Sequence, residues 1–384
     1  MKNKLFLSTL IAACVTCVAQ AVDSQYKGEP GIIEGNLTTG AVVLEKQEAT
    51  VTGELSITPA SVSTTIVSST LKAGSISYNC QSYSGYGNMS LVWDSKVETE
   101  SFKATAGTSA EMIFLDSTLS SPDGSSTGSF EIGSNFTANV AGSTSGSTSI
   151  GMKTEVKGGN LNVWSYASMN GIILNSGAVN VINKANSDYG TSKINYAIDL
   201  GDITVESGTL TLEEAAITSN ITMNSGTLQF LGDCQTGNLI LNGGEIYFGE
   251  SAVTLSEEGL ASTVTTVSTG AITLNSGTIY IADNYVIDLR GEALTLTENV
   301  NIVMSVASLD NAEGLTVFAE AGNVEGLDKL SVTLVDETGT EKEMAVSYNS
   351  DGSVVTSTIP EPTTATLSLL ALAALAARRR RASR

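Results

Sequence analysis

The sequence predicts an all-β chain: a right-handed parallel β-helix, or solenoid, with a C-terminal hairpin cap and then a short C-terminal hydrophobic helix. Three observations carry that expectation. An eight-residue pattern recurs six times: an apolar residue, a polar one, Ser or Gly, a Gly, then variable and aliphatic positions in alternation. Ser, Thr, Gly and Asn dominate the body, with Val, Ile and Leu in short alternating runs, and its prolines are Pro30, Pro59 and Pro122. Helical periodicity is scarce, and 41% hydrophobic residues in regular alternation argue for a buried face rather than for disorder.

Residues 1–21 read as a signal peptide. Lys2 and Lys4 form a short positive region, residues 5–18 are apolar apart from Ser8, Thr9 and Thr16, and Ala19-Gln20-Ala21 supplies a small-x-small pattern for cleavage after Ala21. Export through the Sec translocon and trimming by signal peptidase follow from that reading. Ile11-Ala12-Ala13-Cys14 offers a second one, a lipoprotein box with Cys14 as the lipid-bearing residue.

Residues 22–300 form the expected β-helix body. Its six repeat segments begin at Val156, Leu174, Val205, Met223, Leu241 and Leu274. Their anchor glycines, Gly159, Gly177, Gly208, Gly226, Gly244 and Gly277, are separated by 18, 31, 18, 18 and 33 residues. An Asn-Ser-Gly or Asn-Gly-Gly corner admits positive φ, and the four residues after it alternate outward and inward. So short a strand cannot bury its apolar side alone. The units must therefore stack in parallel at about 4.8 Å per rung, with Leu161, Val179, Leu210, Leu228, Ile246 and Ile279 in one ladder. The intervals of 31 and 33 are either rungs with loop insertions or pairs of rungs of which one has lost the motif. Before Gly159 the pattern loosens: segments starting at Thr39, Thr52 and Ala73 read as degenerate rungs, and residues 142–149 as an exposed loop. The repeats resemble the passenger-type β-helices of bacterial surface proteins, particularly the autotransporter-associated strand repeats, which carry similar Ser-Gly-Thr-Leu corners. No barrel pattern follows them, so anchoring is expected to fall to the end of the chain.

Residues 301–358 change character. Residues 330–335, 343–348 and 353–357, joined by turns at residues 338–340 and 349–352, predict antiparallel hairpins that cap the open end of the solenoid, where bare strand edges invite aggregation.

Residues 359–384 are an address. Pro360, Glu361 and Pro362 precede 15 uncharged residues, 363–377, and then Arg378, Arg379, Arg380 and Arg381. As a helix that run spans about 22 Å, short for a hydrocarbon core of about 30 Å. The arginines place the C-terminus on the cytoplasmic side, and the prolines leave Glu361 on an extended, accessible stalk. This arrangement resembles the PEP-CTERM sorting signal. The resemblance implies transient membrane insertion of an unprocessed form in the inner membrane, then removal of the tail by an exosortase-type membrane processing enzyme. The destination it implies is the cell envelope, outer surface or extracellular matrix. A plain tail anchor is the competing reading.

Without both terminal signals, 12 of the 19 basic residues remain against all 40 acidic ones, a net charge of about −28. Such a surface repels nucleic acid and anionic lipid. There is no histidine, which removes His-based triads and His-ligated zinc. No cofactor, metal site or catalytic constellation is expected. Arg290 between Asp288 and Glu292 reads as a surface ion pair, and Glu213-Glu214 and Glu257-Glu258 as solvated faces. Asn349-Ser350-Asp351-Gly352-Ser353 and Ser121-Pro122-Asp123-Gly124-Ser125 read as turns rather than calcium loops. Cys80 and Cys234 are expected as two thiols, and Trp93 and Trp164 as packing residues. The function that follows is a secreted or cell-surface structural or adhesive protein, not an enzyme, with exopolysaccharide as a candidate partner. The alternative is a carbohydrate-binding or carbohydrate-active β-helix protein, which aromatics and convergent carboxylates along one groove would favour.

Overall fold

In the computed structural model the described residues are 25–27, 31–59, 63–80, 89–143, 146–164, 166–182, 198–215, 217–249 and 264–359. Among them there is no α-helix, and the strands join into one long, mostly parallel sheet.

Its parallel pairings sort into three ladders that the chain visits in a fixed cyclic order. The first runs from Gln25–Lys27 through Ala41–Glu45, Thr65–Val67, Met89–Trp93, Ala110–Leu115 and Phe136–Ala141. It continues through the second halves of the long strands Lys153–Trp164 and Ile172–Ile182. Thr209–Glu213, Thr227–Leu231, Glu245–Phe248, Thr278–Ile281, Val300–Ser305 and Leu330–Val335 complete it. The second ladder starts at Gly31–Ile33 and ends at Thr316–Ala319; the third starts at Leu37–Thr39 and ends at Asn323–Glu325. Returning once per circuit to each ladder, always in parallel, is connectivity consistent with a β-helix-like solenoid.

The predicted register is the observed one. Leu161 pairs with Val179, then Leu210, Leu228, Ile246 and Ile279 follow in turn, all buried. Around them burial alternates with the pleat, so that Leu210 and Leu212 point inward while Thr209, Thr211 and Glu213 are half-exposed. Both long intervals are single rungs, because Val179 pairs directly with Leu210 and Ile246 directly with Ile279. Their extra length includes residues 183–197 and 250–263, outside the described residues.

At the corner before this ladder the glycines themselves stack. A Cβ on Gly208 would lie 2.6 Å from the Gly177 carbonyl oxygen, and one on Gly277 would lie 2.7 Å from that of Gly244. Gly208 and Gly226 have φ of 94° and 88°, which glycine alone adopts without strain. The first unit departs from expectation: Gly158, not Gly159, takes positive φ, and the strand bulges there.

The other expectations are met unevenly. The segments starting at Thr52 and Ala73 do form adjacent rungs, with Leu55 on Ile76, but in the third ladder; the Thr39 segment feeds the first. Residues 142–149 are not all exposed loop, since Thr148 opens a strand and is fully buried. Parallel pairing runs past residue 300 to Val335. Beyond it Glu341–Tyr348 folds back antiparallel on Leu330–Val335, and Val354–Ser357 pairs antiparallel with both Glu341–Tyr348 and Thr316–Ala319. The hairpins are thus present, and they cover two of the three ladder ends.

The inward side chains form one continuous core. Where successive rungs are 22 to 31 residues apart, aromatics fill it. Phe102, Phe114 and Phe130 meet edge to face at 5.4 to 6.1 Å, and Tyr78 meets Phe136 at 5.6 Å.

Candidate functional surface

Outward positions of the first ladder line up in rows along the body. One row of them, read along the body, starts at Asn139, which is itself buried, and continues through Asn162, Asn180, Thr211, Gln229, Tyr247 and Tyr280. Parallel, in-register pairing puts chemically identical side chains one rung apart, and amides at that spacing bond to one another. Asn180 Nδ2 donates to Asn162 Oδ1 at 2.8 Å, Asn162 Nδ2 donates to Asn139 Oδ1 at 2.8 Å, and Asn139 Nδ2 donates to Glu111. Farther along, Tyr247 and Tyr280 stack with centroids 4.6 Å apart and planes within 7°. The Tyr247 hydroxyl donates to Glu245 Oε2 at 2.7 Å; burial first, then that carboxylate, push its pKa up to about 12.

A second amide ladder follows the glycine corner. Asn224 Nδ2 donates to Glu206 Oε2 (3.0 Å), Asn242 to Asn224 (2.7 Å) and Asn275 to Asn242 (2.6 Å), and the Thr297 hydroxyl donates to Asn275 (2.6 Å). Both ladders have the same polarity and start on a glutamate. An amide at the N-terminal end presents N–H groups and needs an acceptor, and a carboxylate is an acceptor only. Asp202 plays the same part under Asn220. The corner ladder was half visible in the sequence as the Asn of Asn-Ser-Gly. The other was missed, although Ala138-Asn139-Val140, Leu161-Asn162-Val163 and Val179-Asn180-Val181 repeat an apolar-Asn-Val signature.

Charged residues are also paired between rungs. Glu131 lies 2.8 Å from both Lys103 and Lys157, and Lys157 is 2.7 Å from Glu155. Buried Glu98 takes Lys72 at 2.9 Å and Lys96 at 2.5 Å. Hydrogen bonds from the lysines hold both the Glu98 and Glu131 carboxyls below the ordinary range.

Several candidate residues stand otherwise than the sequence suggests. Arg290 makes no guanidinium ion pair with Asp288 or Glu292. Its Nε and Nη2 donate to the Thr269 and Thr236 carbonyls at 3.1 and 3.0 Å, tying two rungs together, while Asp288 accepts from its backbone N–H. Trp93 is not a core residue: it lies within an outward-facing row, between Val67 and Leu115, and is 46% exposed. Cys80 and Cys234 are both buried thiols, as expected, and burial pushes the Cys234 thiol up to about 11. Residues 121–125 and 349–353 are turns, with Asp123 and Asp351 accepting from the Ser125 and Ser353 backbone N–H groups. A cleft of about 430 Å³ lies between Gly74, Glu100, Ser121 and Asp123. Among the described residues no group of three or more His, Cys, Asp or Glu is placed to hold a metal, and no helix is long and apolar enough to cross a membrane.

Ala19, Ala21, Cys14, Glu257-Glu258, Pro360, Glu361, Pro362 and Arg378 to Arg381 lie outside the described residues. Comparison with family models, with curated proteins and with solved structures finds no match to this chain.

Proposed function

We propose that this chain is a structural or adhesive protein of the cell envelope, outer surface or extracellular matrix, exported by the Sec route and processed at its C-terminal signal. Its body is a right-handed parallel β-helix with a hairpin cap. The observation that carries the reading is that the outward rows are bonded within themselves. Amides bond to amides, lysines to glutamates and one tyrosine ring covers another, so the side chains on these rows brace the body rung by rung. A rigid, acidic rod with a braced surface suits a building element.

Tyr247 and Tyr280 with Glu245 are the features that favour the carbohydrate-binding alternative. Their rings stack along the ladder, however, so each covers a face of the other that a sugar would need.

Intact mass and fractionation of the protein from its native host test the proposal. Loss of residues 1–21 and of the segment after Pro362, with the body in the envelope or matrix, is expected. An uncut tail held in the inner membrane overturns the sorting half of the reading.

A further inference from the structure

One corner of the body is longer than stacking requires. Between the second and third ladders, residues 99–100 join Glu98 to Ser101, residues 151–152 join Ile150 to Lys153, and residues 170–171 join Met169 to Ile172. After Ser120 the same corner takes residues 121–128. An inserted loop on a rigid scaffold is where binding groups sit. This one is held in shape: the Gly124 N–H donates to the Ser121 carbonyl at 3.0 Å, the Ser125 N–H to Asp123 Oδ1 at 2.9 Å, and the Gly128 N–H to Ser121 Oγ at 3.1 Å, which ties its two ends together. With Gly74, Ser75, Glu100 and Ser101 of the two preceding rungs it lines the cleft of about 430 Å³. One lining group is left with an unused proton. Ser121 is 3% exposed and its Oγ accepts from Gly128, but its own O–H has no acceptor among the described residues. A buried hydroxyl in that state is costly until a ligand oxygen takes the proton.

The lining narrows the ligand. No Lys or Arg is part of it, so a phosphate, sulfate or uronate would face Glu100 and Asp123 uncompensated. Pro122 is its one hydrocarbon side chain, which gives a lipid or an aromatic compound little to cover. The volume lies in the roughly 300–1,000 Å³ range of small-molecule sites, not in that of a single ion. Carboxylates and hydroxyls together suit a ligand rich in O–H or N–H donors and free of acid groups. We propose that this cleft binds one unit of a glycan, a hydroxyl-rich sugar that is neutral or amine-bearing. The Glu100 and Asp123 carboxylates accept from its hydroxyl or ammonium groups, and the Ser121 hydroxyl donates to one of its oxygens. Holding a glycan at one corner adds to a building element and does not replace it, and no residue of the site belongs to either terminal signal.

Isothermal titration calorimetry of the purified protein tests this with neutral cello-, malto- and xylo-oligosaccharides, amine-bearing chitosan oligomers and acidic galacturonate oligomers. A neutral or amine-bearing probe is expected to bind, one per chain, and galacturonate is not; which of the first two classes binds identifies the source. Glu100→Ala should raise the dissociation constant at least about tenfold, the loss of one hydrogen bond to a charged group. Glu298→Ala removes an exposed carboxylate elsewhere and should leave it unchanged. Glu100 is itself exposed, and unaltered far-ultraviolet circular dichroism shows that Glu100→Ala still folds. Failure of every neutral and amine-bearing probe to bind overturns the proposal. Binding that Glu100→Ala leaves unchanged puts the glycan elsewhere and overturns it too, as does galacturonate bound as tightly as the other probes.

Discussion

Gly208 and Gly339 separate two reasons for a glycine. Both have positive φ, 94° and 77°, but a Cβ on Gly339 meets nothing within 4 Å, while one on Gly208 runs into the carbonyl of the glycine one rung below. Gly339→Ala should therefore lose about 1 kcal/mol from the backbone alone. Gly208→Ala should lose about 2 to 4 kcal/mol, because the clash is with backbone that other rungs hold in place. The shift in urea midpoint of the two variants, measured side by side, checks the ordering; equal shifts mean that the glycine stack is not tight. Glu98 gives a pH signature. Its carboxyl lies below the ordinary 4.5 in the fold because Lys96 and Lys72 donate to it, so its contribution is full above that value and is lost as pH falls through the lowered one. The acidic body works the other way, since protonation relieves its self-repulsion. The measurable quantity is thus a difference: Glu98→Gln should be less stable than the parent at pH 7, and the gap should narrow as pH falls below 4.5 and through the lowered value. A gap that stays constant across that range would show that packing, not charge, makes Glu98 matter.

Between residue and rung, the corners are held by hydroxyls that no glycine motif announces. Ser95 Oγ accepts from the Ser69 backbone N–H at 3.1 Å and donates to the Trp93 carbonyl at 2.6 Å; Ser117 and Thr148 repeat the arrangement farther along. Ser95→Ala leaves a buried N–H without its acceptor, expected to cost about 1 to 3 kcal/mol, whereas Ser95→Thr should be near neutral, because Thr148 already occupies the row. On the outer face Asn162 both donates and accepts, so Asn162→Ala removes two bonds, about 1 to 3 kcal/mol. Asn162→Asp removes one, since a carboxylate still accepts from Asn180 but cannot donate to Asn139. Urea titrations rank the four variants, and Asn162→Asp falling below Asn162→Ala would mean that the ladder does not carry the load given to it here. These elements also show where the sequence is legible. The glycine corners repeat because stacked backbones leave no room for a Cβ, and aligning them, at 18 residues or with an insertion between, delivers the register from Leu161 to Ile279. In the first half of the body the corners are closed by Ser69, Ser95 and Ser117, residues common everywhere in this chain, and rungs of unequal length hide the period. Chemistry that repeats at a corner is readable when only one residue type satisfies it, and unreadable when several do.

Over the whole molecule, each rung touches mainly its neighbours, so stability is a local sum rather than a single number. Cys80 and Cys234 sample that sum at two distances from the hairpin cap, with Cys80 among the first rungs and Cys234 in the later part of the body. Both thiols are buried and burial raises both above the ordinary value, Cys234 to about 11, so neither is a reactive thiolate at neutral pH until its rung opens. The C-terminal end is held by the hairpins, and Cys80 lies many more rungs from it than Cys234, so opening should reach Cys80 first. In rising urea at fixed pH, labelling at Cys80 should therefore appear at a lower concentration than labelling at Cys234, with mass spectrometry of the two peptides as the readout. Coincident labelling would mean that the body opens as one unit, and the hairpin cap would then have no local energetic consequence.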